Sequence, residues 1–226
     1  MRTLISGRAT FPRNSWSGTI LRRNDIKGLC LILDRDLLRG EPGQVMLSAL
    51  AAGVRFFQYR SKNEPRKDIY HASLQLAGIA RGAGALFIVN DHADIAAATG
   101  ADGVHLGQGD LPIAEARKVL GEGKIVGLST HSRGQALAAE TAGADYIGFG
   151  PIFATSTKDA GVAQGVERIR DIKQAVRVPV IAIGGINRDT IRAVMSAGAD
   201  GVAVISAVLS APDPSRAAAE LIGLIT

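Results

Sequence analysis

The protein is a chain of 226 residues, of which 46% are apolar but only 4% aromatic, with a formal net charge of +5. A single cysteine excludes an intrachain disulfide, and no apolar run approaches the roughly 20 residues that a membrane span requires. Five arginines precede the first acidic residue, Asp25; without them the 26 basic residues become 21, equal to the 21 acidic ones. The main part of the sequence is therefore neutral, and nothing supports nucleic-acid binding.

The first 24 residues are rich in Arg, Ser and Thr, lack acidic residues and show no clear periodicity. Such a composition is compatible with a transit peptide, but a flexible extension over residues 1–24 is the simpler interpretation. We therefore expect residues 25–226 to form one folded domain, in a cytoplasmic protein.

From Lys27 onward, short apolar runs alternate with Ala-rich segments whose apolar residues recur at helical spacing. The apolar runs predict eight strands, at residues 29–34, 54–60, 86–90, 103–107, 124–129, 146–150, 178–185 and 201–206. Eight strands, each followed by a helix, predict an α/β fold of the (β/α)₈ barrel type. In such barrels the chemistry takes place at the carboxyl ends of the strands.

A short motif of a small residue followed by Gly-Ala-Asp comes before three of these strands, starting at Thr99, Ala142 and Ala197. A glycine after a helix suits the left-handed conformation that ends it. The aspartate then leads into the next strand, at the end of the barrel opposite the expected site. We interpret the motif's aspartates as structural, namely Asp102, Asp145 and Asp200.

Polar side chains follow the second strand, where Gln58, Arg60 and Lys62 alternate. In an extended segment alternate side chains share one side, so two cations and an amide would face the barrel opening and form an anion site. A solvated strand end with scattered charge is the alternative.

The third and fourth strands end in Asn90-Asp91 and in Gly107-Gln108-Gly109-Asp110. Because these strands are neighbours in a barrel, Asp91 and Asp110 should converge. Proteins usually hold Mg²⁺ with one or two carboxylates, and water and substrate phosphates complete its coordination shell. The alternative is that each aspartate caps the helix after it.

The fifth strand ends in Ser129-Thr130-His131, which could contact a phosphate through Ser129 or simply start a helix. His131 could be a general base, although a structural role is the more common one. The loop after the sixth strand is long, and loops of this length are usually functional. Strands seven and eight end in IGGIN and VISA, and barrels often bind phosphate with backbone N–H groups after these two strands.

These segments closely resemble the successive motifs of the thiamin phosphate synthase (thiamin-phosphate pyrophosphorylase) family: QYRSK, VNDHADIAAATGADGVHLGQGD, GLSTHS, ADYIGFGPIFATSTK, VIAIGGIN and AGADGVAVIS. The resemblance runs from about Gly28 to the C-terminal helix. It implies a transferase that joins hydroxymethylpyrimidine diphosphate to a thiazole phosphate and releases diphosphate. A homo-oligomer such as a dimer is also suggested by the resemblance alone.

Carried over by motif, the resemblance implies Mg²⁺ ligands at Asp91 and Asp110. It implies substrate contacts at Gln58, Tyr59, Arg60, Ser61, Lys62, Asn90, Ser129, Thr155, Ser156, Thr157, Lys158, Gly185, Ile205 and Ser206. Of these, the residues expected to stabilise the leaving group are Arg60, Lys62, Ser129 and Lys158.

One position departs from the family pattern, which usually has Glu where this sequence has Ser61. The cations around it are kept, so we expect the reaction to be retained. Two alternative functions remain on the same barrel: a thiazole tautomerase, which would need a base such as His131 but no metal, and a phosphate-ligand sensor without activity.

Overall fold

The computed structural model describes residues 26–155 and 161–225. The predicted extension, residues 1–24, lies outside these ranges. Within them the chain forms a closed barrel of eight parallel strands in sequential order, with each strand hydrogen-bonded to the next and β8 to β1. The predicted (β/α)₈ barrel is thus confirmed.

The strands are β1 Gly28–Asp34, β2 Phe56–Arg60, β3 Leu86–Asn90, β4 Gly103–Leu106, β5 Ile125–Thr130, β6 Tyr146–Phe149, β7 Val180–Ile183 and β8 Gly201–Val204. All eight predicted strands are present, and their ends differ from the predicted ones by at most two residues. The helices of the described residues are α1 Pro42–Ala51, α2 Arg66–Gly82, α3 Ala93–Thr99, α4 Ile113–Leu120, α5 Arg133–Thr141, α6 Glu167–Ala175, α7 Ile191–Ser196, α8 Ser206–Leu209 and α9 Pro214–Ile225. Helix α9 packs on α1, α7 and β1 and completes the outer layer.

Both faces of the strands are buried, which explains their nearly continuous apolar sequence. The outward residues, such as Leu31, Phe57 and Val104, form the large core between barrel and helices. The inward residues form a smaller cluster inside the barrel, with Cys30, Phe56 and Ile88 among them. Cys30, the single cysteine, is fully buried there.

The three Gly-Ala-Asp motifs have the predicted structural role. Their glycines have positive φ angles, for example 68° at Gly100, where helix α3 ends. Each aspartate accepts a hydrogen bond from a backbone N–H of the neighbouring strand: Asp102 from Phe87 at 2.8 Å, Asp145 from Val126 at 2.8 Å and Asp200 from Val180 at 2.7 Å. These carboxylates join adjacent strands at the amino-terminal end of the barrel, away from the expected site.

In the described ranges, every helix is too short or too polar to cross a lipid bilayer.

Candidate active site

A cavity of about 410 Å³ opens at the carboxyl ends of the strands, and we call it the mouth cavity. Its volume lies in the range of small-molecule binding sites. Every strand contributes to its lining, through inward-facing residues such as Ile32, Gln58, Asn90, His105, Ser129, Tyr146, Ile183 and Ala203. The cavity lies where the sequence predicts the chemistry of a barrel to take place.

Strand β2 places Gln58 and Arg60 in the cavity lining, as their alternation predicts. Arg60 forms an ion pair with Asp34, which ends β1 directly beside it and is only 2% exposed. Asp34 was not among the residues predicted from the sequence. It ends β1, however, and the residues at the carboxyl ends of the other strands were the ones considered as candidates.

Two predicted contact residues on the same segment do not reach the cavity. Tyr59 faces outward into the core, and its hydroxyl donates to Glu64 Oε2 at 2.6 Å. Ser61 is buried, and its hydroxyl accepts from the Glu64 N–H at 3.3 Å. Both side chains therefore shape the loop after β2, and the geometry gives neither of them a direct contact with a ligand in the cavity.

At the rim of the barrel, beyond the residues that line the cavity, Lys62 forms an ion pair with Asp91, which follows β3. Asp91 has a φ of 66° and is the one residue other than glycine with a positive φ in the described ranges. Aspartate adopts this left-handed conformation more readily than most residues, and unusual backbone conformations cluster at functional sites. The carboxyl of Asp110, after β4, lies close enough to Asp91 for each to affect the other's pKa.

Neither aspartate caps the helix that follows it, so the structure contradicts that alternative. The residue before α3 is His92 and the residue before α4 is Pro112, and at neither helix start does a backbone N–H donate to a capping side chain. Asp110 instead accepts from the Gly107 N–H at 2.6 Å, which closes the turn after β4.

The two carboxyls have pKa values displaced in opposite directions. Burial raises the pKa of Asp91, but the hydrogen bond and charge of Lys62 outweigh burial and bring the pKa below its ordinary 3.8. Burial also raises the pKa of Asp110, and the nearby Asp91 carboxylate adds to the rise. Two carboxylates held together with one lysine favour a cation at this position.

As a metal site, the pair offers two oxygen-donating side chains. The described residues contain no group of three or more His, Cys, Asp or Glu side chains with metal-binding geometry. This donor set suits a hard cation such as Mg²⁺, which usually keeps water and substrate oxygens as its other ligands.

Ser129 lies inside β5 and lines the cavity, as does Asn90 of β3. It does not start the next helix, since the residue before α5 is Ser132, whose hydroxyl accepts from Gln135 N–H. Gln108 supports this edge by donating from Nε2 to the Ser129 carbonyl at 2.6 Å.

His131 also lines the cavity, but its Nδ1 donates to the Gly150 carbonyl at 2.6 Å. This bond ties the end of β5 to the end of β6, which is consistent with the structural role.

On the opposite side of the cavity lie Thr155, Gly185, Ile205 and Ser206. Gly184 and Gly185 have φ angles of 99° and 64°. A Cβ at Gly185 would come within 2.6 Å of the Ala154 carbonyl oxygen, so only glycine fits under the loop after β6. This packing brings the ends of β6, β7 and β8 together around one space. Three residues predicted to follow Thr155 in the site, Ser156, Thr157 and Lys158, lie outside the described residues.

Two further residues of the site come from inside the barrel. His105 packs in the barrel interior between Tyr146 and Ser129 and hydrogen-bonds to both. Tyr146 was not predicted from the sequence; it begins β6, in register with Gly127 of β5, and its ring belongs to the cluster inside the barrel.

The fold and site together define a (β/α)₈ barrel with a carboxylate pair at its opening. A family model described as thiamine monophosphate synthase matches residues 29–208. The chain belongs to this family of enzymes.

Individual relatives give the same family assignment. The chain is 44% identical over 200 residues to the thiamine-phosphate synthase of Chloroflexus aurantiacus, covering 88% of this chain and 92% of the relative. It is 48% identical over 198 residues to that of Chlorobium limicola, covering 87% and 93%. Among solved structures, thiamine phosphate pyrophosphorylase from Pyrococcus furiosus superposes with a TM-score of 0.82 at 40% identity, covering 90% of this chain and 96% of that one.

Proposed function

We propose that the enzyme joins hydroxymethylpyrimidine diphosphate to a thiazole phosphate, giving thiamin phosphate and diphosphate, with Mg²⁺ at Asp91 and Asp110. The observation that supports the proposal is that one cavity has two sides with different polar groups. One side is lined by Arg60, Asn90 and Ser129, and the ion pair of Lys62 with Asp91 follows Asn90 at the rim of the barrel. The other has the glycine turn after β7 and the residues that follow β8.

The diphosphate would lie on the first side. Arg60 and Lys62 offer positive charge, and Ser129 and Asn90 offer uncharged donors, which together can hold an anion with more than one phosphate. Asp91 and Asp110 would hold Mg²⁺, which when bound neutralises negative charge on the leaving diphosphate.

The single phosphate of the thiazole partner would lie on the second side. Gly185 offers its backbone where a Cβ would not fit, and Ser206 offers both a hydroxyl and a backbone N–H. Barrels commonly bind a monophosphate after strands seven and eight in this way. Thr155 borders the same space and would contact the partner's ring.

In this reaction the bond from the pyrimidine methylene carbon to the diphosphate oxygen breaks, and diphosphate leaves with the electron pair. The lone pair of the thiazole nitrogen forms the new carbon–nitrogen bond. No protein nucleophile takes part, so the residues contribute by orienting the two substrates and by stabilising charge on the leaving group.

The test is a diphosphate-release assay with both substrates, run with Mg²⁺ and with a chelator. We expect release only when both substrates and Mg²⁺ are present. Full turnover in chelator would contradict the metal assignment. Conversion of the thiazole phosphate alone would indicate an isomerase, and binding without any release would indicate a sensor.

A further inference from the structure

Three polar side chains form a connected hydrogen-bond network at the bottom of the mouth cavity, which we call the interior network: Tyr146 of β6, His105 of β4 and Ser129 of β5. The Tyr146 hydroxyl lies 2.9 Å from His105 Nδ1, and His105 Nε2 lies 3.0 Å from Ser129 Oγ. The Gln58 side chain of β2 lies close enough to the Tyr146 hydroxyl to lower its pKa. The network thus links three strands through the barrel interior and ends at a predicted catalytic hydroxyl.

Two glycines make room for this network. A Cβ at Gly127 would lie 2.3 Å from Tyr146 Cζ and 2.6 Å from His105 Nδ1, and a Cβ at Gly148 would lie 3.1 Å from His105 Cε1. Glycine inside a strand weakens it and commonly marks a place of close approach. Two inward positions of the strands are therefore glycine, since a side chain there would overlap the rings of Tyr146 and His105.

The rings of Tyr146 and His105 are tightly packed and have little freedom to move. Tyr146 is 1% exposed and His105 is 8% exposed. Phe56 packs edge-on against Tyr146, with ring centroids 5.9 Å apart. A hydrogen-bond network in such a setting is stronger than in water and holds its members in one arrangement.

The direction of the bonds follows from the proton of the buried Tyr146 hydroxyl. Burial raises the pKa of Tyr146 well above its ordinary value, so the hydroxyl keeps its proton, and the nearby Gln58 side chain opposes that rise. A buried O–H without an acceptor is costly, and His105 Nδ1 lies 2.9 Å away, so Tyr146 donates to His105 Nδ1. A neutral histidine whose Nδ1 accepts carries its proton on Nε2, and it then donates to Ser129 Oγ.

This direction decides what Ser129 offers to a ligand. Because the Ser129 oxygen already accepts from His105, its own proton is available to a diphosphate oxygen. In the reverse direction Ser129 would donate to His105 and turn only lone pairs toward an anion, which is repulsive. Ser129 can therefore help the leaving group only while the bonds of the network are donated from Tyr146 toward Ser129.

We propose that His105 and Tyr146 are positioning residues that act through Ser129, by fixing the Nε2–H tautomer of His105 and so making the Ser129 hydroxyl a donor to the leaving diphosphate. The proposal rests on the proposed function for the identity of the anion. It involves no proton transfer and no charged histidine.

The first measurement is the tautomer of His105 in the ligand-free protein, by ¹⁵N NMR of the imidazole nitrogens. The chain has four histidines, and a His105→Gln variant identifies the signal by its loss. We expect the Nε2–H tautomer in the unaltered protein. In Tyr146→Phe, which removes the hydroxyl but keeps the ring, the tautomer should become mixed or shift to Nδ1–H. A dominant Nδ1–H tautomer in the unaltered protein would overturn the proposal.

The second measurement is steady-state kinetics. Tyr146→Phe should lower kcat about 10-fold, the scale of one misdirected hydrogen bond, and should leave KM for the thiazole phosphate unchanged. In a Ser129→Ala background the same substitution should have little further effect, because residues that act through one group are not additive. An unchanged kcat, or an equal 10-fold loss in both backgrounds, would contradict the proposal.

The matched control is Phe56→Leu, which disturbs the packing around Tyr146 without touching a polar group. It should lower the melting temperature but leave both the tautomer and kcat as in the unaltered enzyme. A changed tautomer in this variant would mean that packing, and not the Tyr146 hydroxyl, sets the tautomer. Absence of any product from the unaltered enzyme would contradict the proposed function, while the tautomer would still test the hydrogen-bond direction.

Discussion

Aspartates lie at both ends of the barrel, and the two sets have different partners. At the amino-terminal end, Asp102, Asp145 and Asp200 each accept from a backbone N–H of the neighbouring strand. At the carboxyl end, Asp91 and Asp110 lie beside each other, and Asp91 pairs with the half-exposed Lys62. The first set joins strands together, whereas the second set concentrates negative charge at an opening.

The difference shows how one residue type serves stability or chemistry according to its surroundings. A carboxylate that accepts from a buried backbone N–H stabilises the fold, since the N–H would otherwise be unsatisfied. Two neighbouring carboxylates repel each other, and a single lysine offsets only part of that repulsion, so the second set favours a bound cation. Variants at the two ends should therefore separate activity from stability.

The largest effect is expected from Asp91→Asn at the rim. Asparagine tolerates the positive φ of this position but supplies a weaker metal ligand, so diphosphate release should fall roughly 100-fold or more, with little change in melting temperature. The matched control is Asp94→Asn, three residues away on the exposed face of α3, which should keep full activity. Equal losses in the two variants would contradict a special role for Asp91.

At the other end, Asp145→Ala should act on stability. It removes the acceptor of the Val126 N–H and the partner of Arg117, so the free energy of unfolding should fall by about 2–3 kcal/mol. Denaturant unfolding measures this, and kcat of the folded fraction should be unchanged. Asp171→Ala, which breaks only an exposed pair with Arg168, should cost less than about 0.5 kcal/mol.

A smaller effect is expected from His131→Ala, because this side chain makes one hydrogen bond to the Gly150 carbonyl. Loss of that bond should reduce the diphosphate-release rate less than about 10-fold. A loss of several hundredfold would instead identify His131 as the base of a different reaction.

The smallest effect should be a gain in stability in Asp110→Asn without metal. The pKa of Asp110 is raised in the folded protein, so its ionisation costs stability above the ordinary pKa of 3.8 and not below it. In chelator the variant should melt up to about 3 °C higher at pH 7, and the gain should shrink as the pH approaches 4. A lower melting temperature at pH 7 would contradict the repulsion between Asp110 and Asp91.

Much of this architecture could be predicted from the sequence because its causes are local. Apolar runs define the strands, and Gly-Ala-Asp defines the turns that lead into three of them. The convergence of Asp91 and Asp110 also followed from strand order alone.

The contacts that could not be predicted depend on closure of the barrel. Tyr146 of β6 hydrogen-bonds to His105 of β4 inside the barrel, and the space for its ring exists only because Gly127 faces it. Tyr59 was predicted in the site for a different reason. Alternation along β2 already implied that Tyr59 faces outward, but the whole segment was assigned to the site because it matches the family motif. Side-chain pairing across a barrel follows from its geometry and not from spacing in the sequence.

The most direct test of the carboxylate pair is a calorimetric titration of Mg²⁺ into the unaltered enzyme and into Asp91→Asn. Each titration is done with and without inorganic diphosphate, and the heat of Mg²⁺ binding to diphosphate in buffer is subtracted. The pair offers only two protein ligands, so we predict weak Mg²⁺ binding alone, clearly tighter binding with diphosphate, and loss of the tighter binding in Asp91→Asn. Mg²⁺ binding of equal strength in both proteins would contradict the assignment of the metal to the rim of the barrel.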